Sequence, residues 1–126
     1  MPSLVLRTSR ALLVVTIVGV TYLSLTPAPP ATPGGFDKAN HVIAYAALAF
    51  LLVLSVRRPP NRLVRLLGLV AVTVAYGVAM EIIQRYTGRD LDPMDVAANT
   101  IGATIGVAGG LLARRWFSHR SSRSDS

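Results

Sequence analysis

The sequence predicts an all-α fold, an integral membrane bundle of four transmembrane helices. Of the 126 residues, 52% are hydrophobic and only 15% are charged, against about 25% charge in an average soluble domain. The mean hydropathy is +0.49. The apolar residues also gather into four runs, each close to the length of about 20 residues that crosses a hydrocarbon core. One membrane domain is expected over residues 1–117, followed by a disordered, basic, cytoplasmic tail over 118–126 that is rich in Ser and Arg.

The first run covers residues 9–26, behind Arg7 and Arg10. It has the basic start and apolar middle of a signal peptide. Pro27, Pro29 and Pro30 stand where small residues would mark a cleavage site, so it reads as a retained anchor. Those prolines, with Pro33, Gly34 and Gly35, make a first loop that cannot be helical. The second run covers 39–56 and stops at the basic loop Arg57-Arg58-Pro59-Pro60-Asn61-Arg62. The third covers 63–83, with Arg65 near one end and Glu81 near the other. After a short loop over 87–92, the fourth covers 96–113. It follows Asp92-Pro93-Met94-Asp95, a helix-start signal: Asp as the cap, Pro at the first helical position and an acid at the third.

The formal net charge is +7, from 13 Lys and Arg against 6 Asp and Glu. Beside apolar runs, this surplus sets topology rather than nucleic-acid binding, and no nucleic-acid partner is expected. Ten of the 13 basic residues fall at the N-terminus, the second loop and the C-terminus. The positive-inside rule then puts both termini in the cytoplasm of a multi-pass protein of the cell membrane. The absence of cysteine excludes disulfides, thiol nucleophiles and zinc–thiolate sites.

This orientation collects the unusual polar residues at the outer membrane–water interface. Asp37, His41 and Tyr45 are spaced four apart and share one helix face, with Lys38 beside them. Asp37 also serves as a plain helix cap, and Tyr45 as a packing residue. A histidine about one turn inside a span is costly without a partner, which makes His41 a functional candidate. In the third run Glu81 and Gln84 face the same way, although Arg85 offers Glu81 a purely structural partner. Asp95, Asn99, Gly102 and Gly106 form a stripe on the fourth run. Its glycines suit close helix packing, and Asn99 would also serve as a structural bond across that seam. The first run contributes none of these residues and reads as packing.

No catalytic residue is assigned; His41 and Glu81 are the candidates for acid–base work. There is no nucleophile motif and no phosphate loop. A histidine among carboxylates suits a divalent cation, but no pair has a diagnostic ligand spacing. Neither a metal nor another cofactor is expected.

These residues resemble the VanZ-like family of small membrane proteins, named for a protein associated with low-level teicoplanin resistance. The family's Asp-Lys-x-x-His-x-x-x-Tyr stretch is matched by Asp37, Lys38, His41 and Tyr45. Its Glu-x-x-Gln is matched by Glu81 and Gln84. The Arg, Asp and Asn that follow are matched by Arg89, Asp95 and Asn99, and the last-span glycines by Gly102 and Gly106. The resemblance covers residues 36–110. It implies a multi-span protein of the bacterial cell envelope, linked in its namesake to glycopeptide antibiotic resistance, without implying a mechanism.

Three functions are weighed. The first is binding or modulation of an envelope lipid or glycolipid, with Lys38 and Arg89 on phosphate and Asp37, Glu81, Asp95 and Asn99 on cations or sugar hydroxyls. The second is a structural helper in an envelope membrane complex, whose protein partner the sequence does not name. The third is an outer-leaflet acid–base enzyme acting on a lipid headgroup. The bilayer itself is the one partner common to all three.

Overall fold

The computed structural model describes residues 2–26, 36–57, 61–88, 90 and 92–124, with side chains at 36, 37 and 121–124 outside the description. The element order is α1 (Ser3–Leu25), α2 (Phe36–Ser55), α3 (Arg62–Tyr86) and α4 (Pro93–Ser124). All four helices are long and apolar enough to cross a membrane.

Local chemistry sets the helix ends. Asn61 caps α3, its side-chain oxygen accepting from the amides of Leu63 and Val64 at 3.0 and 3.3 Å. The helix stops where Gly88 takes φ +85°, a conformation open to glycine. Asp92 caps α4 by accepting from the Met94 amide at 2.8 Å, and Pro93 occupies the first helical position.

At its far end α4 corrects the expected boundary. The sequence reading places a disordered tail from Ser118, whereas the helix runs on to Ser124. Side chains one turn apart support the extension. The Arg120 guanidinium lies 3.8 Å over the Trp116 ring, and the Ser118 hydroxyl donates to the Arg114 carbonyl at 2.9 Å. At 1.5 Å per residue the 32-residue helix is about 48 Å long, well beyond a hydrocarbon core of about 30 Å.

The principal packing pair is α2 with α4. Glycines permit it. A Cβ on Gly102 would overlap the Val42 carbonyl, and one on Gly106 would overlap the Ala46 carbonyl. At Gly110 it would come within 2.8 Å of Val53 Cβ. The two backbones therefore approach as in small-xxx-small packing. Ala49, Val53, Ala103 and Val107 fill this seam, and Leu69 of α3 closes the cluster. Helix α1 packs on α2 and α3 but, among the described residues, not on α4. Ser9 is its one buried residue, while Val14, Val15 and Val18 are exposed, as lipid-facing side chains are.

Candidate functional site

The α2–α4 seam carries polar residues at the end where α2 and α4 both begin. Lys38 stands in the first turns of α2. Its ammonium donates to Asp92 Oδ2 at 2.5 Å and also to Asp95 Oδ1. The cap of α4 and its first-turn acid therefore share one cation delivered by α2. This bond pattern holds the Asp92 carboxyl below the usual carboxylate range: the Lys38 hydrogen bond contributes most, then the Met94 amide.

One turn deeper, His41 Nδ1 lies 2.9 Å from Asn99 Oδ1. A side-chain carbonyl there makes Nδ1 the donor, so Nε2 of the neutral ring bears the lone pair. Nε2 lies 3.8 Å from Asp95 Oδ2, too far for a hydrogen bond. Tyr45 follows on the same face, its ring parallel to His41 within 5° and 6.4 Å away, and 6.0 Å from the Tyr76 ring of α3. Gly77 of α3 makes room for this layer, because a Cβ there would come within 2.9 Å of both Asn99 Nδ2 and Tyr45 Cε1.

Glu81 brings α3 into the cluster. Ligand-capable atoms of His41, Glu81 and Asp95 all lie within 4.8 Å of one another. The sequence expected no metal, since no two of these residues have ligand spacing along the chain. The fold instead draws one nitrogen and two carboxylates from three helices, a donor set suited to a divalent transition metal. Buried at the foot of the cluster are Glu81, 3% exposed, and Asn99, 1% exposed. Asn99 Nδ2 finds no acceptor among the described residues.

Not every expected site residue joins this cluster. The Gln84 amide donates to the Ser24 carbonyl of α1 at 2.9 Å. It ties α3 to α1, although the sequence reading grouped it with Glu81. Helix α1, read as packing alone, also receives Tyr76, whose hydroxyl is 2.7 Å from that of Thr21. The Asp37 side chain and all of Arg89 lie outside the described residues. Conversely, Asp92, Tyr76 and Gly77 belong to the site and were missed by the sequence reading. Asp92 had a signal, its place one turn before Asp95, but its role as a helix cap absorbed it.

Chemically, the arrangement offers a cation held by two carboxylates near the surface and a hydrogen-bonded imidazole and amide below. A cavity of about 240 Å³ opens at the opposite end of the bundle, lined by Arg62, Arg65, Leu111, Arg114 and Arg115.

A family model described as VanZ/LLP1 matches residues 4–114. The match takes in nearly all of α1 as well as the polar region over 36–110. No curated protein and no solved structure matches the chain.

Proposed function

The chain belongs to the VanZ/LLP1 family, and from that premise we propose that its polar cluster binds the headgroup of an envelope lipid or glycolipid at the outer membrane–water interface. One observation carries the reading: the cluster is graded in exposure. The side chains of Lys38 and Asp92 are 38% and 44% exposed, those of His41 and Asp95 17% and 13%, and below them Asn99 and Glu81 are buried. A packing network has no need of an open upper end. A headgroup site does, because its ligand enters from the interface. Lys38 would meet a phosphate, Asp92 and Asp95 would accept from sugar hydroxyls, and His41 would mark the depth of entry.

This reading includes insertion in the cytoplasmic membrane with both termini inside, which a C-terminal reporter fusion tests directly. It also extends to a contribution to glycopeptide resistance, tested by drug susceptibility with and without the chain. The binding test is thermal shift of the purified protein against a panel of envelope lipids, repeated with His41→Ala. One headgroup class should stabilise the protein, and the variant should lose that gain. Equal shifts from every lipid, or an undiminished gain in the variant, would overturn the proposal.

The convergence of His41 Nε2, Asp95 and Glu81 favours a second reading, in which a divalent cation sits between them and binds the phosphate in place of Lys38. With bonds of about 2.1 Å, the 3.8 Å gap from Nε2 to Asp95 Oδ2 subtends roughly 130° at a metal, a few tenths of an ångström wider than tetrahedral. Elemental analysis after purification without chelator separates the two readings. A stoichiometric metal lost in His41→Ala supports the second, and its absence in the unaltered protein removes it.

A further inference from the structure

We propose that the headgroup taken by the polar cluster carries a primary ammonium, seated between His41 and Asp95. The inference rests on the headgroup reading above and names the chemistry of that ligand.

Two hydrogen-bond acceptors face each other in the cluster with no hydrogen between them. The Nδ1 hydrogen of His41 is committed to Asn99 Oδ1 at 2.9 Å, so Nε2 bears a lone pair. Nε2 stands 3.8 Å from Asp95 Oδ2. Lys38 donates to the other oxygen, Oδ1, and to Asp92. Facing acceptors repel unless one atom gives a hydrogen to each. A hydroxyl has one hydrogen and cannot bridge them, whereas an ammonium has three. A nitrogen about 2.8 Å from both acceptors sees the 3.8 Å gap under roughly 85°. The hydrogens of a tetrahedral ammonium open at about 109°, so each lies about 12° off the line to its acceptor and both bonds stay near linear.

Glu81 adds a third acceptor. Ligand-capable atoms of His41, Glu81 and Asp95 all lie within 4.8 Å of one another. Three acceptors around one ammonium stand about 4.6 Å apart when each bond is about 2.8 Å. A carboxylate accepts several bonds at once, so this holds beside any other contact that Glu81 keeps.

An independent sign of a ligand lies in the same layer. Asn99 is 1% exposed, and its Nδ2 has no acceptor among the described residues. That nitrogen abuts Gly77 of α3, one turn before Glu81. A buried donor left unmade is costly, and an oxygen brought in with the ligand completes it. Headgroup amines carry such an oxygen two carbons from the nitrogen: the ester oxygen of phosphoethanolamine, or the neighbouring hydroxyl of an amino sugar.

A lipid-borne and a free ammonium share this chemistry. The graded opening favours the lipid. Lys38 and Asp92 are well exposed and His41 and Asp95 partly so, which lets a headgroup amine enter from the interface while its acyl chains stay in the bilayer.

The test follows the thermal shift of the full chain in neutral detergent. The probes are short-chain phosphatidylethanolamine, its N-methyl and N,N-dimethyl derivatives and phosphatidylcholine, which differ only in the hydrogens left on nitrogen. Phosphatidylethanolamine should bind about tenfold or more tighter than phosphatidylcholine. Most of that gain should already be lost in the N,N-dimethyl lipid, whose single hydrogen cannot bridge. Asp95→Asn should lose the preference; if it lowers the melting temperature, the methylation series on the unaltered protein decides alone. Millimolar free ethanolamine should not displace the lipid, and full displacement overturns the lipid assignment in favour of a free amine. Equal binding along the series, as from a site filled by water alone, overturns the ammonium, as does a preference that survives in normally melting Asp95→Asn. If phosphatidylglycerol stabilises the protein in a His41-dependent way and the amines do not, the ammonium falls and headgroup binding stands. Stabilisation by no lipid removes both. A stoichiometric metal lost in His41→Ala also overturns the ammonium, since the two would fill one gap.

Discussion

Gly106→Ala separates close backbone packing from every other contribution to this fold. A Cβ at this position runs into the Ala46 carbonyl and lies 2.9 Å from both Ala46 C and Cα. The obstacle is backbone on α2, with no flexible side chain to swing away. Relief requires the two helices to separate by a sizeable fraction of an ångström, along the seam that holds Ala49, Val53, Ala103 and Val107. Overpacking of this kind costs about 1–3 kcal/mol. Alanine also returns up to about 1 kcal/mol of helix propensity relative to glycine. The expected net is a loss of about 1–2 kcal/mol. Gly68→Ala on α3 is the internal control, since a Cβ there meets nothing within 4 Å. It gains the same propensity without the clash. Reversible unfolding in mixed detergent micelles should thus place Gly106→Ala about 1–3 kcal/mol below Gly68→Ala. A gap under about 0.5 kcal/mol, the usual scatter of surface substitutions, would refute the close-approach argument.

Three further outcomes follow from the site. Asn99→Ala removes the acceptor for His41 Nδ1 in a buried layer and should cost about 1–3 kcal/mol in the same unfolding assay. Gln84→Ala breaks the link to the Ser24 carbonyl and should cost about 1 kcal/mol, while lipid-dependent thermal shifts stay intact, because Gln84 faces α1 and not the cluster. For pH, the sign follows from Asp92: its folded carboxyl titrates below the ordinary value of about 3.9, so the stabilisation from Lys38 is present above that value and fades as pH falls through the depressed one. Melting curves from pH 6 downward should therefore drop for the unaltered protein, and Lys38→Met should flatten that part of the drop; an unchanged slope in the variant would argue against the ion pair.

Much of this was legible in the chain. Hydropathy alone defines four spans, and offsets of four put Asp37, His41 and Tyr45 on one face, of which the Asp37 side chain lies outside the described residues. What the sequence could not convey is which helix each face meets. Glu81 and Gln84 are three residues apart on α3, yet one turns to the cluster and the other to α1, because α3 sits where its sides see different neighbours. Ligand-forming convergence was invisible for the same reason: His41, Glu81 and Asp95 have no mutual spacing until three helices are docked. Asp92 was hidden by doing two things at once, capping α4 and pairing with Lys38. The extended end of α4 is hidden because a run of Ser and Arg has the composition of a solvated tail, while the pairing of Trp116 with Arg120 exists only once both stand one turn apart on a helix.

The pairing of α2 with α4 also bears on biogenesis. The bonded residues His41 and Asn99 lie 58 positions apart in the chain. At a synthesis rate of about 5–20 residues per second, α2 waits roughly 3 to 12 s before its main partner is even made. During that interval Lys38 and His41 exist in the growing chain without the Asp92, Asp95 and Asn99 that will receive them. A nascent chain truncated before α4 therefore carries half of a polar seam with nothing to close it.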